Sequence, residues 1–156
     1  MDEFHRAVEG LAALGKTLAT AESCTGGLLG KLLTDVPGAS RVYLGGVISY
    51  AYEVKEKLLE VDAALLKDKG AVCGEVALQM ARGVRNGLGA DFALSTTGNA
   101  GPSADPLNPK VGEIFVALSC EEGDLCRRLS LQGDREENRL AACRAAAELL
   151  LVALYG

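Results

Sequence analysis

The polar, glycine-ended run Thr20-Ala21-Glu22-Ser23-Cys24-Thr25-Gly26-Gly27 limits what this chain can become more than any other stretch. Before it, Lys16-Thr17-Leu18-Ala19-Thr20 is a short β-prone segment. After it, Leu28-Leu29-Gly30-Lys31-Leu32-Leu33-Thr34 spaces apolar residues at i, i+3 and i+4, as a helix does. The run is therefore a strand-to-helix junction. Backbone N–H groups at a helix start lack intrahelical partners and sit at the positive end of the macrodipole, so they can hold an anion or a developing oxyanion. A hydroxyl presented there can act as a nucleophile. A plainer reading is that Ser23 or Thr25 caps the helix and the glycines permit a tight turn.

The flanking sequence alternates helical and β patterns. Phe4, Val8, Leu11 and Ala12 recur at helical spacing, so residues 2–14 read as an amphipathic helix ended by Gly15. Arg41 to Tyr50 is rich in β-formers, and its Gly45-Gly46 pair suggests a bulge or a close backbone approach. Helices are expected over 53–60, from Asp62 as N-cap to Gly70, and over 75–88. Asp91 to Thr97 reads as a strand buried on both faces. The segment 98–110 holds three of the four prolines, which excludes regular structure and marks a long loop of the kind that carries function. Val111 to Leu118 is a strand, residues 121–124 a hairpin turn, and Leu125 to Leu131 its antiparallel partner. From Gly133-Asp134-Arg135 a last helix runs with Leu140, Cys143, Ala147, Leu150, Leu151 and Leu154 as an apolar stripe. Strands alternating with helices and one late hairpin predict an α/β fold, a three-layer α/β/α sandwich on a mixed, mostly parallel sheet.

Composition removes several classes of function. A net charge of −5 and the lack of any Lys or Arg run argue against a surface for nucleic-acid phosphates. Five scattered Cys without a Cys-x-x-Cys pair, and a single His, predict neither a disulfide frame nor a metal site, and no cofactor is implied. The N-terminus lacks an apolar leader and no run reaches membrane-spanning length, so a soluble, cytoplasmic protein is expected. His5 lies far in sequence from the polar run, which leaves lysine or tyrosine to supply any base.

In an open α/β sheet, ligands bind outside the carboxyl ends of the strands. Three such ends are polar or glycine-rich here: 21–27, 49–55 and 96–101. If they converge, Ser23 faces Tyr50 and Lys55. A lysine desolvated in such a place loses its proton more easily and can serve as base to a serine, as Ser-Lys pairs do elsewhere.

Several motifs in register carry a resemblance. Ala21-Glu22-Ser23-Cys24-Thr25-Gly26-Gly27, Asp35-Val36-Pro37-Gly38-Ala39-Ser40, Tyr50-x-x-Glu53-x-Lys55, Gly70-Ala71-Val72, Thr97-Gly98-x-Ala100-Gly101-Pro102, Val111-Gly112 and Gly133-Asp134-Arg135 resemble the CinA C-terminal domain. That family includes stand-alone nicotinamide mononucleotide (NMN) amidohydrolases. The resemblance runs from about residue 4 to 154 and makes 1–156 one domain of this kind, without the molybdopterin-binding-type domain that precedes it in longer members. It implies hydrolysis of the NMN carboxamide to nicotinic acid mononucleotide and ammonia, with Ser23 as nucleophile and Lys55 and Tyr50 as its basic partners. The N–H groups around Thr25, Gly26 and Gly27 would stabilise the oxyanion. Arg135 is the first candidate for the phosphate and Arg139, one turn on, the second, while Thr97 and Gly98 would shape the wall around ribose or ring. A homodimer or higher homo-oligomer is implied as well.

The chain also departs from the family pattern. Tyr52 stands where Asn is common, Asn99 replaces an Ile, Cys73-Gly74 replaces a Ser-Glu pair, and the loop after Pro102 lacks the usual glycine cluster. These changes bear on substrate preference. Two other readings stay open: a catalytically silent nucleotide-binding or regulatory module, and a partner-binding domain using the C-terminal apolar stripe.

Overall fold

Strand β1 (Leu18–Glu22) sits second in a five-stranded sheet of order β2-β1-β3-β4-β5, and the computed structural model describes residues 1–156. The elements in chain order are α1 (Glu3–Leu14), β1, α2 (Leu28–Thr34), a 3₁₀ turn (Ala39–Arg41), β2 (Tyr43–Ile48), α3 (Tyr52–Leu59), α4 (Ala63–Lys69), α5 (Gly74–Leu88), β3 (Phe92–Gly98), β4 (Glu113–Cys120), β5 (Gly123–Ser130) and α6 (Arg135–Tyr155). β1 pairs in parallel with β2 and β3, whereas β3/β4 and β4/β5 are antiparallel, so the mixed sheet is half parallel. The α/β/α sandwich is as expected.

Alternation along the strands sorts the two faces. Leu18, Phe92, Leu94, Ile114, Val116 and Leu118 pack with α1, α2 and α6 in the larger core. The opposite face presents smaller residues: Ala19, Ala21 and Ala93 join α3, α4 and α5, and Ala117 meets Ala77 and Ala81 of α5. Small side chains let a helix approach a sheet closely. Gly83 shows the same logic between helices, because a Cβ there would collide with the Leu59 carbonyl oxygen at the end of α3. Gly83→Ala is expected to cost about 2–3 kcal/mol by overpacking, read as a lower midpoint in urea unfolding.

The helix ends follow their sequence signals. Asp2 caps α1 through His5 N–H, Gly15 ends it with φ 65°, and Asp62 caps α4. The Gly45-Gly46 expectation holds on both counts: the β1/β2 register shifts between Leu18 and Ala19, and a Cβ on Gly46 would strike Thr20. Two boundaries differ. β1 runs two residues further than its β-formers suggest, because Glu22 pairs with Ile48 on one side and Thr96 on the other. The β4/β5 connection is tighter than the four residues expected, since Cys120 already pairs with Gly123, whose φ of 139° closes the turn. The apolar stripe of α6 is core: Cys143, Ala147, Leu150 and Leu151 are buried and Leu154 packs against them, with α1 alongside. It is therefore not a free docking face.

Candidate active site

Loops at the carboxyl ends of β1, β2 and β3 do converge. With the loop after β3 and the start of α6 they line a cavity of about 190 Å³ whose walls include Ser23, Tyr50, Lys55, Thr97 and Arg135.

Ser23 extends the sheet ladder by one bond, its N–H donating to the Thr96 carbonyl at 2.9 Å, and the chain then turns sharply into α2. Lys55, on α3, is 0 % exposed, and its Nζ lies 2.9 Å from Ser23 Oγ. The same nitrogen donates to the carbonyls of Ser49 at 2.6 Å and Tyr50 at 3.1 Å. Three acceptors match the three protons of an ammonium. When one proton leaves, two carbonyls still hold two N–H groups, and the remaining lone pair is directed at the serine. Burial draws the Lys55 pKa from its usual 10.5 down to about 8, so an appreciable neutral fraction exists near neutrality.

The helix start does hold an anion, but it is the protein's own. Glu22, buried beside the nucleophile, accepts from Gly27 N–H at 3.2 Å, Leu29 N–H at 2.8 Å and Gly30 N–H at 3.0 Å. The Thr25 hydroxyl donates to it at 2.6 Å and contacts Thr96 Oγ1 at 2.7 Å. Gly26 N–H is bonded to the Ser23 carbonyl. The expected oxyanion donors Gly26 and Gly27 are thus engaged, and Thr25 contributes its hydroxyl to structure. The N–H groups of Cys24 and Thr25, immediately after the serine, are the ones this turn leaves without an acceptor.

Tyr50, expected beside Lys55 as a basic partner of Ser23, meets the pair through its backbone. Its carbonyl orients Lys55, while its ring is 62 % exposed and its hydroxyl lies 3.4 Å from an Arg135 nitrogen. Lys55 reaches Ser23 without an intermediary. Cys24 lines the cavity but burial pushes its thiol up to about 12, which keeps it protonated and unreactive. His5 bonds Asp2 at 2.8 Å at the start of α1.

The first turn of α6 braces two of the site's loops. Arg135 donates to the Gly101 carbonyl at 2.8 Å, the buried Asn138 to that of Ala100 at 3.0 Å, and Arg139 to that of Thr25 at 2.8 Å. Arg135 is exposed, with donors left to meet an anion at the rim. Arg139 is absent from the cavity wall and acts as a strut for the Ser23 turn. Thr97 ties the end of β3 to the Ala71 carbonyl at 2.8 Å, and Gly98 is glycine because β4 crosses it, with Ile114 Cα 2.5 Å from where a Cβ would lie. Sequence reasoning missed Glu22, Asn138 and Asp105. For Glu22 the sequence shows only an acid just before the serine and not the direction it takes.

The family model of the CinA C-terminal domain matches residues 3–154. A CinA-like protein of Geotalea daltonii is 46 % identical over 136 residues, 87 % of this chain and 33 % of the relative. A protein of Caldanaerobacter subterraneus subsp. tengcongensis described as a putative competence-damage inducible protein is 45 % identical over 142 residues, 91 % of this chain and 34 % of its own length. The chain thus spans about a third of the length of the curated relatives it matches. Among solved structures, the competence/damage inducible protein CihA from Agrobacterium tumefaciens superposes with a TM-score of 0.92 at 36 % identity, covering 99 % of this chain and 94 % of that one. A CinA superfamily protein from Escherichia coli gives 0.92 at 29 % identity, covering 96 % and 87 %.

Proposed function

The chain belongs to the CinA C-terminal domain family, and from that membership and its buried Ser23–Lys55 pair we propose that it is an amidohydrolase that converts NMN to nicotinic acid mononucleotide and ammonia. The observation that carries the reading is the 2.9 Å approach of Lys55 Nζ to Ser23 Oγ, with two backbone carbonyls fixing the amine.

Neutral Lys55 takes the Ser23 proton as Oγ attacks the carboxamide carbon. The oxygen of the tetrahedral intermediate is received by the N–H groups of Cys24 and Thr25, each such donor contributing about 3–4 kcal/mol in acyl-transfer enzymes. The intermediate collapses as Lys55 returns the proton to the departing nitrogen, releasing ammonia and leaving an ester on Ser23. Water then adds to the ester with Lys55 again as base, giving the carboxylate and free serine. Arg135, with Tyr50 beside it, receives the phosphate at the rim.

The proton inventory gives a pH profile. Only the neutral amine is productive, so kcat/KM for ammonia release from NMN should rise about tenfold per unit below pH 8 and level off above it. A profile flat from pH 6 to 9 removes Lys55 as the base.

The relatives' descriptions as competence-damage inducible motivate the second reading, a silent nucleotide-binding module. Wild-type protein that binds NMN and releases no ammonia establishes that reading instead.

A further inference from the structure

Three of the departures from the family pattern meet in one hydrogen-bonded unit. Asp105, in the loop that lacks the glycine cluster, accepts from the Tyr52 hydroxyl at 2.7 Å and from Leu107 N–H at 2.9 Å. Its own N–H donates to Asn99 Oδ1 at 2.9 Å, and the Asn99 amide donates to the carbonyls of Asn108 at 2.7 Å and Lys110 at 3.0 Å. The Tyr52 oxygen in turn accepts from Ala71 N–H at 3.2 Å. The unit presses on the backbone of Gly70, where a Cβ would lie 2.8 Å from Asp105 Oδ1 and 3.2 Å from the Tyr52 oxygen.

Tyr52, Asn99 and Asp105 all face the cavity, and its charge pattern is uneven. Asp105 is the one carboxylate on its wall; Lys55 and Arg135 are the two cations. Asp105 and Lys55 line the same cavity.

We propose that Asp105, held in place by Tyr52 and Asn99, is a specificity-determining residue that selects carboxamides borne on a cationic ring over neutral-ring carboxamides of the same shape. The inference rests on the amidohydrolase reading for the direction in which the ligand lies. The favoured class is then an N-alkylated pyridinium carboxamide with a distal phosphate, positive charge toward Asp105 and negative toward Arg135. Because Asp105 is half-buried, its field is only partly screened by solvent, and a cation-over-neutral preference of about tenfold is expected.

The test uses NMN and its 1,4-dihydro form, which differs by a hydride added at C4 and so lacks the ring charge, titrated at pH 8 by calorimetry into the 156-residue Ser23→Ala protein, which cannot turn them over. The expected result is roughly tenfold tighter binding of NMN. Adding Asp105→Asn should reduce the preference to twofold or less by weakening NMN alone, and adding Tyr52→Phe, which releases one anchor of the carboxylate, should give an intermediate value. Equal affinity for the two ligands in the parent, or an equal loss for both in the Asp105→Asn and Tyr52→Phe proteins, overturns the proposal. Ammonia release from NMN by wild type is scored separately. Release without ring-charge preference upholds the hydrolase and sinks the role of Asp105, whereas preference without release does the reverse.

Discussion

Replacing Ser23 by alanine is expected to lower ammonia release from NMN by a factor of about 10⁴ or more, and Lys55→Met should do the same, with the double variant little worse than either. The two groups act as one device: a serine without a base keeps its proton, and a base without a serine has nothing to activate. Binding of NMN by Ser23→Ala should stay within a few-fold of wild type, because the loss falls on the transition state. Retention of more than a tenth of the activity in either variant rejects the mechanism. Lys55→Met carries a second, opposite signature. The folded-state pKa of Lys55 is lowered to about 8 from 10.5, so between those values the unfolded chain binds more protons than the folded one. The destabilisation imposed by the buried ammonium is fully present below pH 8 and fades as pH rises toward 10.5. The melting temperature of wild type should therefore rise relative to that of the variant as pH goes from 8 to 10.5, whatever their offset at pH 7.

The largest effect on stability is expected at Glu22. Its carboxylate satisfies three backbone N–H groups and the Thr25 hydroxyl in a place closed to water. Glu22→Ala orphans the three backbone N–H groups at once, leaving the Thr25 hydroxyl its Thr96 contact, and should cost about 3–5 kcal/mol. Glu22→Gln keeps one oxygen for Gly27, Leu29 and Thr25 but turns an NH₂ toward the Gly30 N–H, so roughly 2 kcal/mol is expected. Chemical denaturation gives both values. Activity should fall in Glu22→Gln even where the protein is folded, because the same carboxylate fixes the turn that carries Ser23.

The comparison with sequence follows from these two sites. The Ser23–Lys55 pair was legible because strand ends in an α/β sheet converge and because no histidine competes for the role of base. The element types came out correctly wherever periodicity was strong, as in α1, α5 and α6. Gly26 and Gly27 are taken up for a physical reason: a helix N-terminus attracts whichever anion is nearest, and here Glu22 lies one peptide upstream of Ser23. Whether N–H groups face a ligand or a neighbouring side chain depends on the direction of one carboxylate, which spacing does not encode. Likewise Tyr50 meets Lys55 through its carbonyl, an atom every residue carries. Arg135 and Arg139, four positions apart, share a helix face, yet only the first reaches the cavity, since the second is taken up by the Thr25 carbonyl. The links among Tyr52, Asn99 and Asp105 span up to 53 positions and lay beyond any local pattern.

The carbonyl bonds made by Arg135, Asn138 and Arg139 tie the cavity's two rims to the opening turn of a single 21-residue helix. Fraying of that turn and loosening of both rims are consequently one equilibrium. The amide hydrogens of Gly26 and Asn99, each bonded to a backbone carbonyl, should exchange through a common opening event, and mild heating should silence the molecule at the temperature where that helix end begins to melt, ahead of collapse of the sheet.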